Sequence, residues 1–390
     1  LLFACASGLS VANVYYAQPL LDALAADFDI HPAAVGGVIT ATQVGSVLAL
    51  LLLVPLGDLL PRRRLMLLQL MALVAALTGV CLASGATTLV IGMLAVGMLG
   101  TAMTQGLIAY AASAAAAQER GRVVGAAQSG VVAGLLLARV FAGLVADQAS
   151  WRAVYAASAA MMLMLAALLS RSLPPLAAPD QAPPRLSYAG LIASMFTLLQ
   201  QNRILQVRGV IALLMFAVFG TFWSALGFLL SAPPYAYSHT AIGAFGLVGL
   251  AGALAAAGAG RRADQGRAQH TSAAALALML LSWLPLALAP NSLAALIIGI
   301  LALDLGVQAL HVTNQSMILR SGTEHSRLIG GYMMFYAVGS GAGALAATNV
   351  YALSGWNGIC LLGGSLSLAA LIFWAATKWP VRIAKVAGPI

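Results

Sequence analysis

Charge is the scarcest commodity in this chain. Only 7% of its 390 residues are Asp, Glu, Lys or Arg, while 62% are hydrophobic; a soluble domain carries about 25% charge. So little polar surface cannot clothe a set of soluble domains. Cysteine is nearly absent as well. Cys5, Cys81 and Cys360 form an odd set of three, all inside apolar stretches, so neither a disulfide framework nor a metal-binding pair is expected. The sequence also lacks a Gly-rich phosphate loop ending in Lys-Ser/Thr and the His-Glu-x-x-His metal spacing. The expectation is a protein that is no enzyme, holds no metal or cofactor and does not use ATP directly.

What the chain has in quantity is uncharged apolar sequence. Its mean hydropathy is +0.96, and apolar stretches of about 20 residues recur, each able to cross roughly 30 Å of hydrocarbon. Twelve spans are predicted, at approximately 1–25, 34–56, 65–84, 88–113, 123–146, 153–172, 207–230, 240–259, 271–290, 293–318, 328–352 and 357–377. The expected fold is an all-α membrane protein of twelve transmembrane helices in two six-helix bundles, embedded in a lipid bilayer. The first apolar run continues to about Leu24 and leads into an acidic loop, so no cleavable signal peptide is expected. The chain starts at Leu1 rather than Met, so a short preceding piece is expected.

Basic residues mark one side. Of 19 Arg and Lys, 17 fall in the segments after even-numbered spans, including Arg62 to Arg64, Arg171 through Arg208, Arg261, Arg262, and Lys378, Arg382 and Lys385. The other side carries Arg152 with Asp22, Asp27, Asp29 and Asp147. Positive charge collects on cytoplasmic loops, so both termini are expected in the cytoplasm. The net charge of +9 belongs to these loops, and no nucleic-acid partner is expected.

The longest connection divides the chain into residues 1–173, a linker at 174–206, residues 207–377 and a tail at 378–390. Pro174, Pro175, Pro179, Pro183 and Pro184 stiffen the start of the linker. Leu191, Ile192, Met195, Leu198 and Leu199 follow at helical spacing, which predicts a helix lying in the cytoplasmic interface; an early start to span 7 is the alternative. The halves repeat weakly: Arg122-Val-Val-Gly125 opens span 5 and Arg327-Leu-Ile-Gly330 opens span 11. Parallel repeats of this kind imply a transporter that rocks two bundles about a midplane site.

The loop Asp58-Leu-Leu-Pro-Arg62-Arg63-Arg64 resembles the signature between spans 2 and 3 of the major facilitator superfamily, in which the pattern is Gly-x-Leu-Ala-Asp-Arg-x-Gly-Arg-Arg. Asp58, Arg62 and Arg63 match, while Val54, Leu59 and Pro61 stand in place of Gly, Arg and Gly. Gly260-Arg-Arg-Ala-Asp264-Gln-Gly266-Arg267 is similar to the same signature. The opening Asn13-Val-Tyr15-Tyr16-Ala-Gln18-Pro19-Leu20-Leu21 resembles the first span of bacterial drug/proton antiporter-type members. Two family patterns are incomplete: Ala102-Met-Thr-Gln105-Gly106 lacks the Arg of span 4, and Gly130-Val-Val-Ala-Gly134 runs on to Leu135 rather than Pro. The resemblance implies a bacterial-type inner membrane and a gating role for Asp58, Arg62, Arg63, Asp264 and Arg267. A carboxylate beside guanidinium groups can hold two bundles together by charge-assisted hydrogen bonds; setting topology alone is the plainer role for these arginines.

Charges within a span are costly and normally face a cavity or a partner. Arg139 in span 5 and Asp304 in span 10 are such charges. At 1.5 Å per residue Asp304 lies about 17 Å from the outer face and Arg139 within about 10 Å of it, so no direct salt bridge is expected. Arg139 either faces the cavity or snorkels outward. Asp304, Gln308, His311 and Gln315 share one face of span 10, as expected of a stripe lining a water-filled path. Asp304 is the expected proton carrier, because partial burial favours its neutral form and lets it load and unload a proton. His311 titrates near neutral pH without help and is the second candidate, or else a hydrogen-bonded interfacial side chain.

Asn13, Tyr16 and Gln18 on span 1, Gln43 on span 2, Gln105 on span 4, Arg139 and Gln308 are the expected contacts for a small organic solute; the amides alternatively join neighbouring helices. Phe216, Phe219 and Trp223, with Tyr332, Phe335 and Tyr336, form stripes expected to serve packing. The whole points to a monomeric secondary transporter that exports a small organic solute or drug in exchange for protons. Proton symport or facilitated uptake of a sugar or metabolite is the alternative on the same fold. A non-transporting receptor or scaffold is the alternative of another class.

Overall fold

A computed structural model describes residues 2–115, 119–173, 187–249, 263–321 and 325–377. The proline-rich part of the linker, the end of the eighth span with Arg261 and Arg262, and the tail with Lys378, Arg382 and Lys385 lie outside them. So do the side chains of Asp58, Arg120 and Asp264.

The described residues are helical, as a chain that must satisfy its own backbone in hydrocarbon requires. Helices α1 (Leu2–Ala12), α2 (Leu21–Asp27), α3 (Gly36–Leu48), α4 (Arg62–Cys81), α5 (Ala86–Ala114), α6 (Arg120–Gln148) and α7 (Trp151–Ser172) come first. They are followed by α8 (Tyr188–Gln201), α9 (Arg203–Ser231), α10 (His239–Val248), α11 (Ala268–Leu281), α12 (Trp283–Ala287), α13 (Leu293–Leu319) and α14 (His325–Thr377). Among the described residues nine helices are long and apolar enough to cross a membrane; Leu2–Ala12 and His239–Val248 are shorter apolar helices. The last of the nine, Arg327–Thr377, is 51 residues long and turns at Gly355, whose φ of 59° suits a residue without a β-carbon. Side chains set other boundaries. Ser150, Asn202, Ser238 and Ser292 each accept a hydrogen bond from a backbone N–H of the helix they open, at 2.9–3.3 Å. Asn202 therefore separates α8 from α9, where the alternative was one longer seventh span.

Buried apolar side chains form two large clusters. One draws almost wholly on residues 6–173 and the other on residues 205–374. Glycine governs the close contacts in each. In the first, β-carbons on Gly130 and Gly134 would overlap the backbone of Ala4 and Gly8. In the second, β-carbons on Gly339 and Gly343 would overlap the backbone of Leu213 and Ala217. Ala4 and Leu213, Gly8 and Ala217, Gly130 and Gly339, and Gly134 and Gly343 are each 209 positions apart. The repeat that is faint in sequence is thus plain in the packing: α1 lies against α6 as α9 lies against α14.

The clusters meet along two seams related in the same way. Gly36 of α3 packs on Ala344 and Thr348 of α14, and Gly243 of α10 packs on the backbone of Arg139 in α6. Arg139 and Thr348 are again 209 apart. Both seams close the end of the molecule that carries Asp22 and Asp147, the acidic end. At the opposite, basic end Leu50, Met195 and Met334 form a small apolar contact between the end of the second span, α8 and α14.

Candidate functional site

The first span is where the sequence reading and the structure part. A continuous helix over 1–25 was expected, but α1 stops at Ala12. Tight turns follow, with Tyr15 N–H donating to Ala12 O at 3.0 Å and Gln18 N–H to Tyr15 O at 3.2 Å, and Pro19 sits in the next turn. Bonds from i to i−3 advance the chain faster around its axis than an α-helix, so residues that helical counting separates are brought round. Tyr15 and Gln18 reach the seam between the clusters. Tyr16 turns into the first cluster, with Phe141 and Tyr155 at ring distances of 5.4 and 6.4 Å. Asn13 is also inside that cluster: its Nδ2 donates to Leu9 O and its Oδ1 accepts from the Ser158 hydroxyl at 2.6 Å.

Arg139 is the centre of the polar group at the seam. It is only 2% exposed, so it does not snorkel. Its Nε donates to Gln18 Oε1 at 3.0 Å, and its guanidinium lies 3.9 Å from the centre of the Trp223 ring and 5.8 Å from those of Tyr15 and Phe219. Cation–π contacts of this kind favour a charge that water cannot reach. Nη1 and Nη2 have no hydrogen-bond partner, and neither have Trp223 Nε1 and Asp304 Oδ1.

Asp304 is 4% exposed. Helix counting put it well below Arg139, but contacts with one helix bring the two together. The Arg139 side chain lies against Gly246, and Asp304 Oδ2 against Gly249, three residues or about 4.5 Å further along. The two charges stand within one helical turn with no hydrogen bond between Asp304 Oδ1 and either Nη.

The rest of the polar stripe on α13 faces partly open space. Gln308, His311 and Gln315 are half-buried. His311 Nδ1 pairs with the Tyr332 hydroxyl at 2.8 Å, and its Nε2 lies 3.3 Å from Gln315 Nε2. The hydroxyls of Tyr15 and Tyr336 meet across the seam. Gln43, buried against Gly341, has no partner for either amide atom. Gln105 sits elsewhere, lining a cavity of about 60 Å³ with Arg62, Met66 and Gln69.

The gating candidates are at the basic end. Arg62 Nε donates to Gly57 O at 3.0 Å and its Nη1 to Ala109 O and Ser113 Oγ, while Arg63 Nη2 donates to Ser170 O. These bonds tie the loop to α5 and α7 within residues 1–173. Arg267 is exposed.

At the acidic end a cross-seam contact appears that sequence reading missed. His239, the first residue of α10, places Nε2 3.1 Å from Asp22 Oδ1 and Nδ1 3.0 Å from Asp147 Oδ1. Asp147 also accepts from the backbone N–H groups of His239 and Thr240, at 3.1 and 2.7 Å, and so caps α10 from the other cluster. The hydrogen bond to Asp22 first, and then both carboxylate charges, hold the His239 imidazole up at about 9, against 6.5 ordinarily. A raised value means that the charged contact contributes fully below about pH 6.5 and fades as pH rises through about 9. The expected result is that the distance between spin labels on α2 and α10 lengthens between pH 6.5 and 9. In His239→Gln it should be long throughout. An unchanged wild-type distance would show that the charge on His239 does not hold this end shut.

Two helical clusters meeting on two pseudo-symmetric glycine seams, with buried charges at the junction, suit a membrane transporter built from repeats. The comparisons agree. Residues 3–318 match the model of the Major Facilitator Superfamily, and the chain belongs to that family. It is 41% identical over 376 residues to the uncharacterized transporter YgaY of Escherichia coli O157:H7, covering 96% of this chain and 94% of that protein. The crystal structure of the nucleoside transporter NupG superposes with a TM-score of 0.77 at 14% identity, covering 96% of this chain and 99% of NupG. A bacterial homolog of the human lysosomal transporter Spinster, inward-facing and unoccupied, gives 0.74 at 13% identity, covering 96% and 94%. This protein is a multi-pass membrane transporter.

Proposed function

We propose that the chain is a twelve-span, proton-coupled transporter of a small organic solute, with two six-helix bundles that alternate access around Arg139, Gln18, Trp223 and Asp304. The observation that carries this reading is Asp304. It is a carboxylate buried at the junction of the two clusters, with Oδ1 unpartnered, and a buried charge without its full set of hydrogen bonds is costly unless the group can be neutralised. A proton does this, and moving the bundles changes the side from which it arrives. The motif resemblance supports export in exchange for protons across a bacterial inner membrane, with both termini cytoplasmic. On this reading solute and proton compete, and Arg62, Arg63 and the Asp58 loop govern the basic end while His239 latches the acidic one.

One observation favours the second direction, symport. Arg139 and Asp304 carry opposite charges in one buried space, so a proton on Asp304 leaves the Arg139 charge uncompensated and favours an anion beside it. Reconstituted vesicles with an imposed pH difference separate the readings. Solute moving against the proton flux supports exchange, and solute moving with it supports symport. Solute binding with no flux in either direction would overturn both and favour a receptor.

A further inference from the structure

The transport reading leaves the class of solute open, and Arg139 narrows it. Its guanidinium is held on one edge by Gln18 and on one face by Trp223, yet both Nη groups are buried without acceptors. Buried donors, charged ones above all, are normally paired. Asp304 makes no hydrogen bond with them; its own Oδ1 is unpartnered and the side chain faces Trp223. Two donors of a guanidinium whose third is pinned present a fixed fork, and the group that matches such a fork is a carboxylate, taken end-on through both oxygens. The rings of Tyr15, Phe219 and Trp223 stand around the same guanidinium and offer flat apolar walls to whatever the carboxylate is attached to.

We infer that Arg139, with Gln18 and Trp223, receives the carboxylate of a small organic anion with a flat apolar body. The inference rests on reading this space as the solute site. The gap between Gln18, Pro19, Arg139, Trp223, Leu226 and Ile242 holds about 10 Å³, room for one water at most, so the anion enters when the bundles part. The groups facing Arg139 are Asp304 from α13, Tyr15 from the first span and Tyr336 from α14. With Asp304 ionised the site is neutral overall; with Asp304 protonated it carries one positive charge. Anion and proton therefore bind together, as in the symport reading and not the exchange one, and binding takes up protons from solution.

The test uses the full chain in detergent with acetate, benzoate, benzamide and chloride as probes, followed by melting temperature and by calorimetry in buffers of different ionisation enthalpy. Benzoate is expected to bind and raise the melting temperature, acetate to do so weakly, and benzamide and chloride not at all. Arg139→Lys keeps the charge but not the fork or the Gln18 bond; it should fold, with a somewhat lower melting temperature, and below that temperature bind benzoate at least about tenfold more weakly. Proton uptake on benzoate binding should be present in the wild type and lost in Asp304→Asn. Equal binding of benzamide and benzoate, equal binding by Arg139→Lys, failure of both carboxylates, or displacement of benzoate by chloride as at a site for inorganic anions only, would each overturn the inference. Proton-driven flux of a neutral solute without benzoate binding would sink the anion site and leave the transporter standing. Benzoate binding to Arg139 with no flux of any solute would do the reverse.

Discussion

Asp304→Asn is expected to abolish the solute gradient that a pH difference sustains while leaving solute exchange intact. One pH unit is worth about 1.4 kcal/mol per proton, enough for about a tenfold gradient with one coupled proton. Asparagine neither takes up nor releases a proton, so the site can still carry solute back and forth but can no longer respond to protons. The side chain is buried against Gly249 with Oδ1 unpartnered, so an amide of equal size fits the same space; it leaves Arg139 uncompensated just as protonation of Asp304 does, and the variant should fold. The check is a pair of measurements in vesicles, counterflow with solute on both sides and accumulation under a one-unit pH step. Counterflow near the wild-type rate with no accumulation is the expected pattern. Tenfold accumulation by the variant would remove Asp304 from the coupling and leave His311 as the remaining candidate on α13.

Gly134→Leu is expected to destabilise the protein more than any exposed substitution. A β-carbon there would overlap the backbone oxygen of Gly8 and come within 2.6 Å of its carbonyl carbon. Backbone cannot rotate aside as a side chain can, so α1 and α6 must separate. Overpacking of this kind costs about 1–3 kcal/mol or more. Gly343→Leu, at the corresponding contact with Ala217, should lower the melting temperature by a similar amount, since the same packing recurs 209 residues on. Gly364→Leu serves as the control, because nothing lies within 4 Å of the new β-carbon. Thermal unfolding in detergent reads all three, and a Gly134→Leu protein melting like the control would show that α1 and α6 do not touch as described.

The two stripes assigned to packing by their spacing illustrate how far sequence reading carries. Phe216 does pack, against His311 and Tyr336 at 5.3 and 3.8 Å. Phe219 and Trp223, one and two turns further on, surround Arg139 instead. Periodicity shows that residues share a face, but not what that face meets. Tyr16 rather than Tyr15 is the expected contact on span 1 only if helical phase runs unbroken through Asn13–Ala17, where the chain makes tight turns. Pro19 was the available signal, since proline removes a helical hydrogen bond and disturbs the turn before it. His239 carried no signal at all. Its partners Asp22 and Asp147 are 217 and 92 residues away, and only the closure of the acidic end makes them neighbours.

Reading along the chain was enough to show a helical membrane protein resembling the major facilitator superfamily and to mark Arg139 and Asp304 as its costly charges. These properties follow from composition, from a helical period and from short local motifs, all of which survive without knowledge of neighbours. Folding was needed to show that Arg139 is buried rather than snorkelled, that Asp304 stands within a turn of it, and that Tyr15, Trp223 and His239 belong to the seams. These depend on a break in helical phase and on contacts between residues up to 321 apart, which packing of the two halves sets and no local stretch of sequence encodes.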